Sequence, residues 1–311
     1  MTGLPFLDAA AVQALLPWSV AVDALDGAVR ASGAVESGPP RVSVPVASGE
    51  LLLMPAESAA AAGVKLLSVA PGNPVAGLPR IQGLYVLFDA ATLSPWLLLD
   101  GTALTAIRTP ALSALAAGHL AAPGAAVLVV FGAGPQARGH IEALRRIRPI
   151  DTVLVVARNP VRTAEFIAEL IAAGHPAAAG TPDAVAEADL VVCATTSAQP
   201  VFDGRRLAAN ACVVAVGSHE PRARELDEVV FARAERVVVE DRDTALREAG
   251  DVIAAIAAGR CSPDALIGLP AALELAPSEG ISVFKSVGMA WQDLAVAAVA
   301  GERWRNRVGA P

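Results

Sequence analysis

The run "AAVLVVFGAGPQARGHIEALRRI", from Ala125 to Ile147, passes from an unbroken apolar segment through Gly132, Gly134 and Pro135 into a helix-period pattern. That junction constrains the fold more than any other feature, because a strand with no polar face must be covered on both sides. The theme then recurs. "TVLVVA", "LVVCATT", "ACVVAVGS" and "RVVVE" are separated by helical segments, one of them opening at Pro160. Continuous apolar strands alternating with helices predict a parallel sheet with helices on both faces. Gly132, Ala133, Gly134, Pro135, Gln136 and Ala137 carry the first glycines of the dinucleotide fingerprint, with a small residue in its last place. Glycines at a strand-to-helix junction can also serve the turn alone. Context favours a ligand, since the motif follows a buried strand, opens a helix whose N–H groups can hold a pyrophosphate, and begins a series of βαβ units.

The end of the second strand bears on which dinucleotide is bound. "VLVVARNPVRTAEF" has no Asp or Glu to bond a ribose 2′-hydroxyl and offers Arg158, Asn159, Arg162 and Thr163, chemistry suited to a 2′-phosphate. NADP(H) is therefore expected ahead of NAD(H). The other reading, solvated charges at a helix start, sets the arginines against the helix dipole.

Before Ala121 the texture differs. "SVAVDALDGAVRASGAV" reads as an amphipathic helix, "PPRVSVPVASGELLLMP" as a hairpin, and "GVKLLSV" and "GLYVLFDAATLSPWLLLD" as further strands. These predict an α+β domain with an antiparallel-leaning sheet. "LTAIRTPALSALAAGHLA" reads as a helix capped by Thr105 or Thr109 and ended by Ala122 to Gly124. The expected class is thus α/β: a substrate-binding and dimerisation domain over residues 1–120, completed by a helix in 290–311, and a Rossmann-type domain over 121–289. Although 54% of the 311 residues are hydrophobic, no window approaches the about 18 to 20 uninterrupted apolar residues of a membrane span. The start of the chain has no basic flank before its apolar part, so a cytoplasmic protein is expected. A net charge of −7 without a Lys/Arg run argues against nucleic acid and anionic membrane as partners. Cys193, Cys212 and Cys261 lack metal-ligand spacing and read as free thiols, so no metal is implied.

The remaining motifs carry a resemblance. "PPRVSVPV", "LLLMP", "GVKLL", "GLPRIQGLYVLFD", "LTAIRTPALSALAAGHLA", "GAGPQA", "ATTSAQPVF", "VGSHEPRARELD", "AGDV" and "VFKSVGMAWQDLA" occur in the order that resembles the ornithine cyclodeaminase and mu-crystallin family, across nearly the whole chain. The resemblance implies hydride transfer at a carbon bearing a nitrogen and a carboxylate, and a dimer formed through the first domain's sheet. Apolar residues on successive positions of "RVSVPV", "LLLM" and "LYVLF" agree with that dimer.

Such chemistry needs a cationic clamp for the carboxylate, a nicotinamide beside the α-carbon and a group to manage a proton. Arg41, Lys65 and Arg108 are basic residues embedded in apolar sequence. Each alone is as readily a structural charge, but by resemblance all three match the carboxylate ligands, with Thr109 adding a helix N-terminus. The resemblance also places the cofactor on Ala194, Thr195, Thr196, Val216, Ser218, Lys285 and Ser286, beside the glycine turn.

Departures narrow the activity. The cyclodeaminases resembled here have an Asp where this chain has His219, a Glu at Leu52 and an Asp at Lys285, so three acidic positions for a dibasic amino acid are lost together. An oxidative enzyme needs a base, whereas reduction of a cyclic imine needs a proton source, which His219 or bound water can supply, Lys65 being the other catalytic candidate. The expectation is a reductase of small cyclic ketimine carboxylates, first of Δ1-pyrroline-2-carboxylate to L-proline. Cyclodeaminase or alanine dehydrogenase activity, and a non-catalytic mu-crystallin-like binding role, are the alternatives. His119, His140 and His175 read as structural.

Overall fold

The structure is a computed structural model and describes residues 3–31, 40–276 and 278–309. The chain divides into two compact units, one of residues 1–108 and 289–311, the other of residues 109–288.

The first unit opens with β1 (Phe6–Leu7), α1 (Ala9–Leu15) and α2 (Trp18–Arg30). The last residues of the amphipathic reading over 19–35 lie outside the described residues. An antiparallel meander follows: β2 (Val42–Val46), β3 (Gly49–Glu57), β4 (Ala61–Val69), β5 (Ile81–Asp89) and β6 (Pro95–Asp100). With β1 parallel to β6 at one edge, the sheet order is β1-β6-β5-β4-β3-β2. Pro45 lies in the edge strand β2, where a missing N–H costs no ladder bond.

Strand parity sorts this sheet into two faces. Met54, Lys65, Tyr85 and Leu99 stand opposite one another across β3 to β6, and all four are buried. The neighbouring row, Val42, Leu53, Leu66 and Leu84, runs across β2 to β5 and is exposed throughout. Side chains one residue apart on a strand point to opposite faces, so Lys65 turns inward because Leu66 turns outward.

From β6 the chain enters α3 (Gly101–Leu120), and the division between the units falls inside this helix rather than at the Ala122–Gly124 break. Neither threonine caps it. Asp100 accepts from Ala103 N at 2.8 Å, so the helix begins a turn earlier; Thr105 Oγ1 donates back to Gly101 O, and Thr109 lies in mid-helix.

The second unit continues with β7 (Val127–Phe131), α4 (Pro135–Ile147), β8 (Thr152–Val156), α5 (Pro160–Ala172), β9 (Ala177–Ala179), β10 (Leu190–Cys193) and β11 (Cys212–Ala215). Next come α6 (Glu228–Arg233), β12 (Ala234–Val239), α7 (Arg242–Glu248), α8 (Gly250–Ala257), β13 (Leu266–Gly268), α9 (Leu269–Ala272) and β14 (Ile281–Lys285). Its eight strands are all parallel, in the order β13-β12-β14-β11-β10-β7-β8-β9. The order reverses on either side of β7, so the crevice of this doubly wound sheet opens above the carboxyl ends of β7 and β10. Every residue of β10, β11 and β14 is buried, as strands covered on both faces require. The chain ends with α10 (Ala290–Val308), which belongs to the first unit. No described helix is long and apolar enough to cross a membrane.

Candidate active site

The glycine turn sits at the crevice. Gly132 has φ +122°, and a Cβ there would lie 2.6 Å from Ala194 O, so the chain's own backbone demands this glycine. Gly134 is different. It caps α4 with no side-chain hydrogen bond, and a Cβ on it would meet nothing within 4 Å. The missing side chain at 134 leaves open space before the uncapped N–H groups of Pro135-headed α4, a donor set that fits a pyrophosphate. Behind the turn, His140 is fully buried, its Nδ1 2.7 Å from Gln136 O and its Nε2 2.9 Å from Ser113 Oγ. Burial lowers its pKa to about 4, so the ring is neutral.

Beyond β8, three of the four candidates for a 2′-phosphate are engaged locally. Asn159 Oδ1 caps α5 by accepting from Arg162 N at 3.1 Å, and Thr163 Oγ1 donates to Asn159 O at 2.7 Å. Arg162 pairs with Glu165 at 3.4 Å and Glu169 at 2.9 Å. The fourth, Arg158, is exposed at the strand end. Asn159 and Arg162 thus also serve as an N-cap and a local ion-pair partner, since Asn before Pro is the residue pattern of a helix start as well.

On the other side of β7, the loop after β10 carries Ala194, Thr195 and the exposed Thr196, and the loop after β11 carries Val216, Gly217, Ser218 and the exposed His219. Several of these turn toward the protein. Ser218 Oγ donates to Ala223 O at 2.5 Å, Ser286 Oγ to Glu240 Oε1 at 2.8 Å, and Lys285 Nζ to Ser218 O at 2.7 Å. Lys285 also pairs with Asp251 at 2.9 Å, both side chains 0% exposed. The Ser218, Lys285 and Ser286 side chains are thus each engaged with an internal acceptor.

The first unit gathers the expected clamp. The chain has only two lysines, Lys65 and Lys285, and both are buried against a carboxylate. Lys65 Nζ lies 2.6 Å from Asp293 Oδ2 and 3.5 Å from Thr105 Oγ1. Arg108 Nη1 donates to Gln292 Oε1 at 2.7 Å. Its Nε is buried with no acceptor in hydrogen-bond range among the described residues, Asp293 Oδ1 being 3.6 Å away. Burial brings the Lys65 pKa down to about 8; Asp293 opposes that shift, while Arg108 and the half-buried Arg41 add to it. Tyr85, beside Lys65, is fully buried and its hydroxyl is pushed well up, by burial first and Asp293 second. Thr109 is buried in mid-helix next to Arg108, so it offers no free helix terminus.

Sequence reasoning misses Gln292 and Asp293. Their signal is a Gln-Asp pair in the first turn of a helix whose first half is otherwise apolar, at positions that must be buried for the helix to pack. It also misses Glu225 and Asp251, although "RELD" and "AGDV" contain them. Cys193, Cys212 and Cys261 are free, and burial pushes the Cys212 thiol up to about 12. Among the described residues no group of three His, Cys, Asp or Glu could hold a metal ion.

A doubly wound sheet with an open glycine turn at its crevice, together with a first unit that buries a cation cluster, defines a dinucleotide-dependent oxidoreductase. The model of the ornithine cyclodeaminase/mu-crystallin family matches residues 6–307, and this chain belongs to that family. A Δ1-pyrroline-2-carboxylate reductase of Bacillus cereus is 38% identical over 274 residues, 83% of each chain. The Thermococcus litoralis Δ1-pyrroline-2-carboxylate reductase, solved with NADH and L-proline, superimposes with a TM-score of 0.90 at 28% identity, over 98% of both chains. An archaeal alanine dehydrogenase dimer with bound NAD has a TM-score of 0.89 at 28% identity, covering 98% of this chain and 97% of that one.

The clamp makes a stability prediction. Asp293→Ala leaves Lys65 and Arg108 buried without their carboxylate and should destabilise the protein by about 3 to 5 kcal/mol. Urea unfolding checks this, and an unchanged midpoint would show that the pair is not buried in solution.

Proposed function

We propose that this chain reduces small cyclic imine carboxylates with a nicotinamide dinucleotide, converting Δ1-pyrroline-2-carboxylate to L-proline as its leading reaction. The observation that carries the reading is the buried Arg108 guanidinium, which keeps an N–H for which the described residues provide no acceptor in range. A substrate carboxylate satisfies that donor and faces the Lys65 ammonium, with Arg41 adding positive potential. Similarity to the Δ1-pyrroline-2-carboxylate reductases supports the same substrate class for this chain.

Reduction adds a hydride to the imine carbon and a proton to the nitrogen. The bound nicotinamide supplies the hydride. Lys65 is the first candidate for the proton, because a pKa of about 8 leaves it protonated at neutral pH yet readily relieved of its proton. His219, exposed on the loop after β11, is the second. Asp293 holds the Lys65 amine in place, and the proton given up is replaced from solvent. Oxidation of a dibasic amino acid is disfavoured, since Leu52 is buried among apolar neighbours and Lys285 is committed to Asp251. At the cofactor's adenosine end, Arg158 keeps NADP(H) the expected preference over NAD(H).

Assembly follows from the outward row of the first unit's sheet. Val42, Leu53, Leu66 and Leu84 form a continuous exposed apolar row, joined by Val44 and Leu51 on the next pairs. Such a face is covered by a second copy of the chain, in keeping with the dimer of the alanine dehydrogenase relative.

The test follows the near-ultraviolet absorbance of reduced nicotinamide with the imine, against oxidised dinucleotide with ornithine, lysine or alanine. Imine reduction is expected, and efficient ornithine deamination overturns the reading. Arg108→Ala should lower kcat/KM for the imine about tenfold to 150-fold, the equivalent of about 1.5 to 3 kcal/mol, with dinucleotide affinity unchanged. Lys65 is cationic below its pKa, so kcat/KM for the imine should fall as pH rises through about 8. Arg158→Asp should move preference from NADPH toward NADH; a constant ratio locates the phosphate contact elsewhere. Light scattering should give twice the chain mass at micromolar concentration, and a monomer would refute the interface.

A further inference from the structure

One buried carboxylate of the second unit has no part in the chemistry above. Glu225 is 0% exposed and accepts hydrogen bonds at both oxygens. Oε1 takes Thr195 N and Thr195 Oγ1, each at 2.7 Å, and Oε2 takes Gly217 N at 2.7 Å. Thr195 lies on the loop after β10 and Gly217 on the loop after β11, so one side chain bridges two loops above adjacent parallel strands. All its partners are donors, which only an ionised carboxylate satisfies at both oxygens at once. Burial pushes its pKa up, and the nearby Lys285 charge and the Thr195 hydrogen bonds work against that rise. The contact is close on every side. A Cβ on Gly217 would lie 2.0 Å from Thr195 O and 2.6 Å from Glu225 Oε1.

Glu225 is itself held by charge. Its N–H and that of Leu226 donate to Asp251 Oδ1 at 2.6 and 2.8 Å, and Asp251 Oδ2 pairs with Lys285, whose Nζ also donates to Ser218 O. Four chain segments thus converge on this network, from the ends of β10, β11 and β14 and the start of α8. In a doubly wound sheet each half serves one mononucleotide. The adenosine half would lie over β7, β8 and β9, on the side of Arg158. The loops after β10 and β11 therefore belong to the nicotinamide half.

We propose that Glu225 is a positioning residue for the nicotinamide half of the dinucleotide, fixing the Thr195 and Gly217 backbones in the arrangement that receives it. This rests on the dinucleotide reading of the glycine turn and adds to it a residue that touches neither cofactor nor substrate. Glu225→Gln keeps the shape but replaces one acceptor oxygen with an NH2 group that must face an N–H, so one of the two loops is released.

The experiment measures binding of NADH and of ADP-ribose, which lacks only the nicotinamide ring, to wild type, Glu225→Gln, Gly217→Ala and the double variant. Glu225→Gln and Gly217→Ala should each weaken NADH about tenfold while ADP-ribose changes less than about twofold. The double variant should lose no more than the worse single one, because both act on the same contact. Should Glu225→Gln fail to fold, Thr195→Val removes a single donor and must show the same selectivity for NADH. Equal weakening of both ligands, or of neither, overturns the proposal. A wild type that binds neither NADH nor NADPH overturns the dinucleotide reading itself, and the two failures are thereby distinct.

Discussion

A cation withdrawn from water must be met by an anion, and both units of this protein are organised by that requirement. Lys65 on β4 meets Asp293 on α10, 228 positions away in the chain, and Lys285 on β14 meets Asp251 on α8. Replacing such pairs with apolar residues of equal volume is often neutral or stabilising in proteins, so the pairs are poor evidence of stability for its own sake. What distinguishes these two is what each carboxylate does besides. Asp293 lies beside Arg108, and Asp251 accepts the backbone N–H groups of Glu225 and Leu226. Each pair orders a neighbouring set of polar groups that could not be ordered in water.

The clamp and the exposed apolar face of the first unit are one consequence of one register. Side chains alternate with a period of two, so a slip of a single residue between β3 and β4 would bring Leu66 inward and carry Lys65 into solvent. Tyr85 adds a steric lock, since only a glycine at position 63 leaves room for its hydroxyl, a Cβ on Gly63 lying 2.3 Å from Tyr85 Oη. The buried cation cluster and the exposed apolar face are therefore inherited together.

Much of the fold was legible because it depends on local pattern. The glycine turn, the β2–β3 hairpin and the apolar strands of the second unit announce themselves through periodicity and turn chemistry, as do the embedded cations Arg41, Lys65 and Arg108. What stayed hidden depends on distance. Nothing near Lys65 names Asp293 as its partner, and the placement of β14 between β11 and β12 follows from a crossover that no local pattern records. Residue chemistry with two uses is harder to read. Asn159, Arg162 and Thr163 suit a phosphate as well as a helix start, and Thr109 suits a cap as well as a helix interior. For α3 the Asp100 carboxylate takes the cap, and Arg162 pairs with the Glu165 and Glu169 carboxylates.

The confinement of lysine to two buried sites gives the protein an unusual chemical exterior. Its exposed strongly basic side chains are all arginines, which acylating reagents leave alone at neutral pH, so the only side-chain amines lie behind the packing of one unit or the other. Amine acylation can reach them only when that packing opens. Lys65 then marks the opening of the first unit and Lys285 that of the second, and the order in which the two become acylated ranks the local stability of the two halves without any engineered probe.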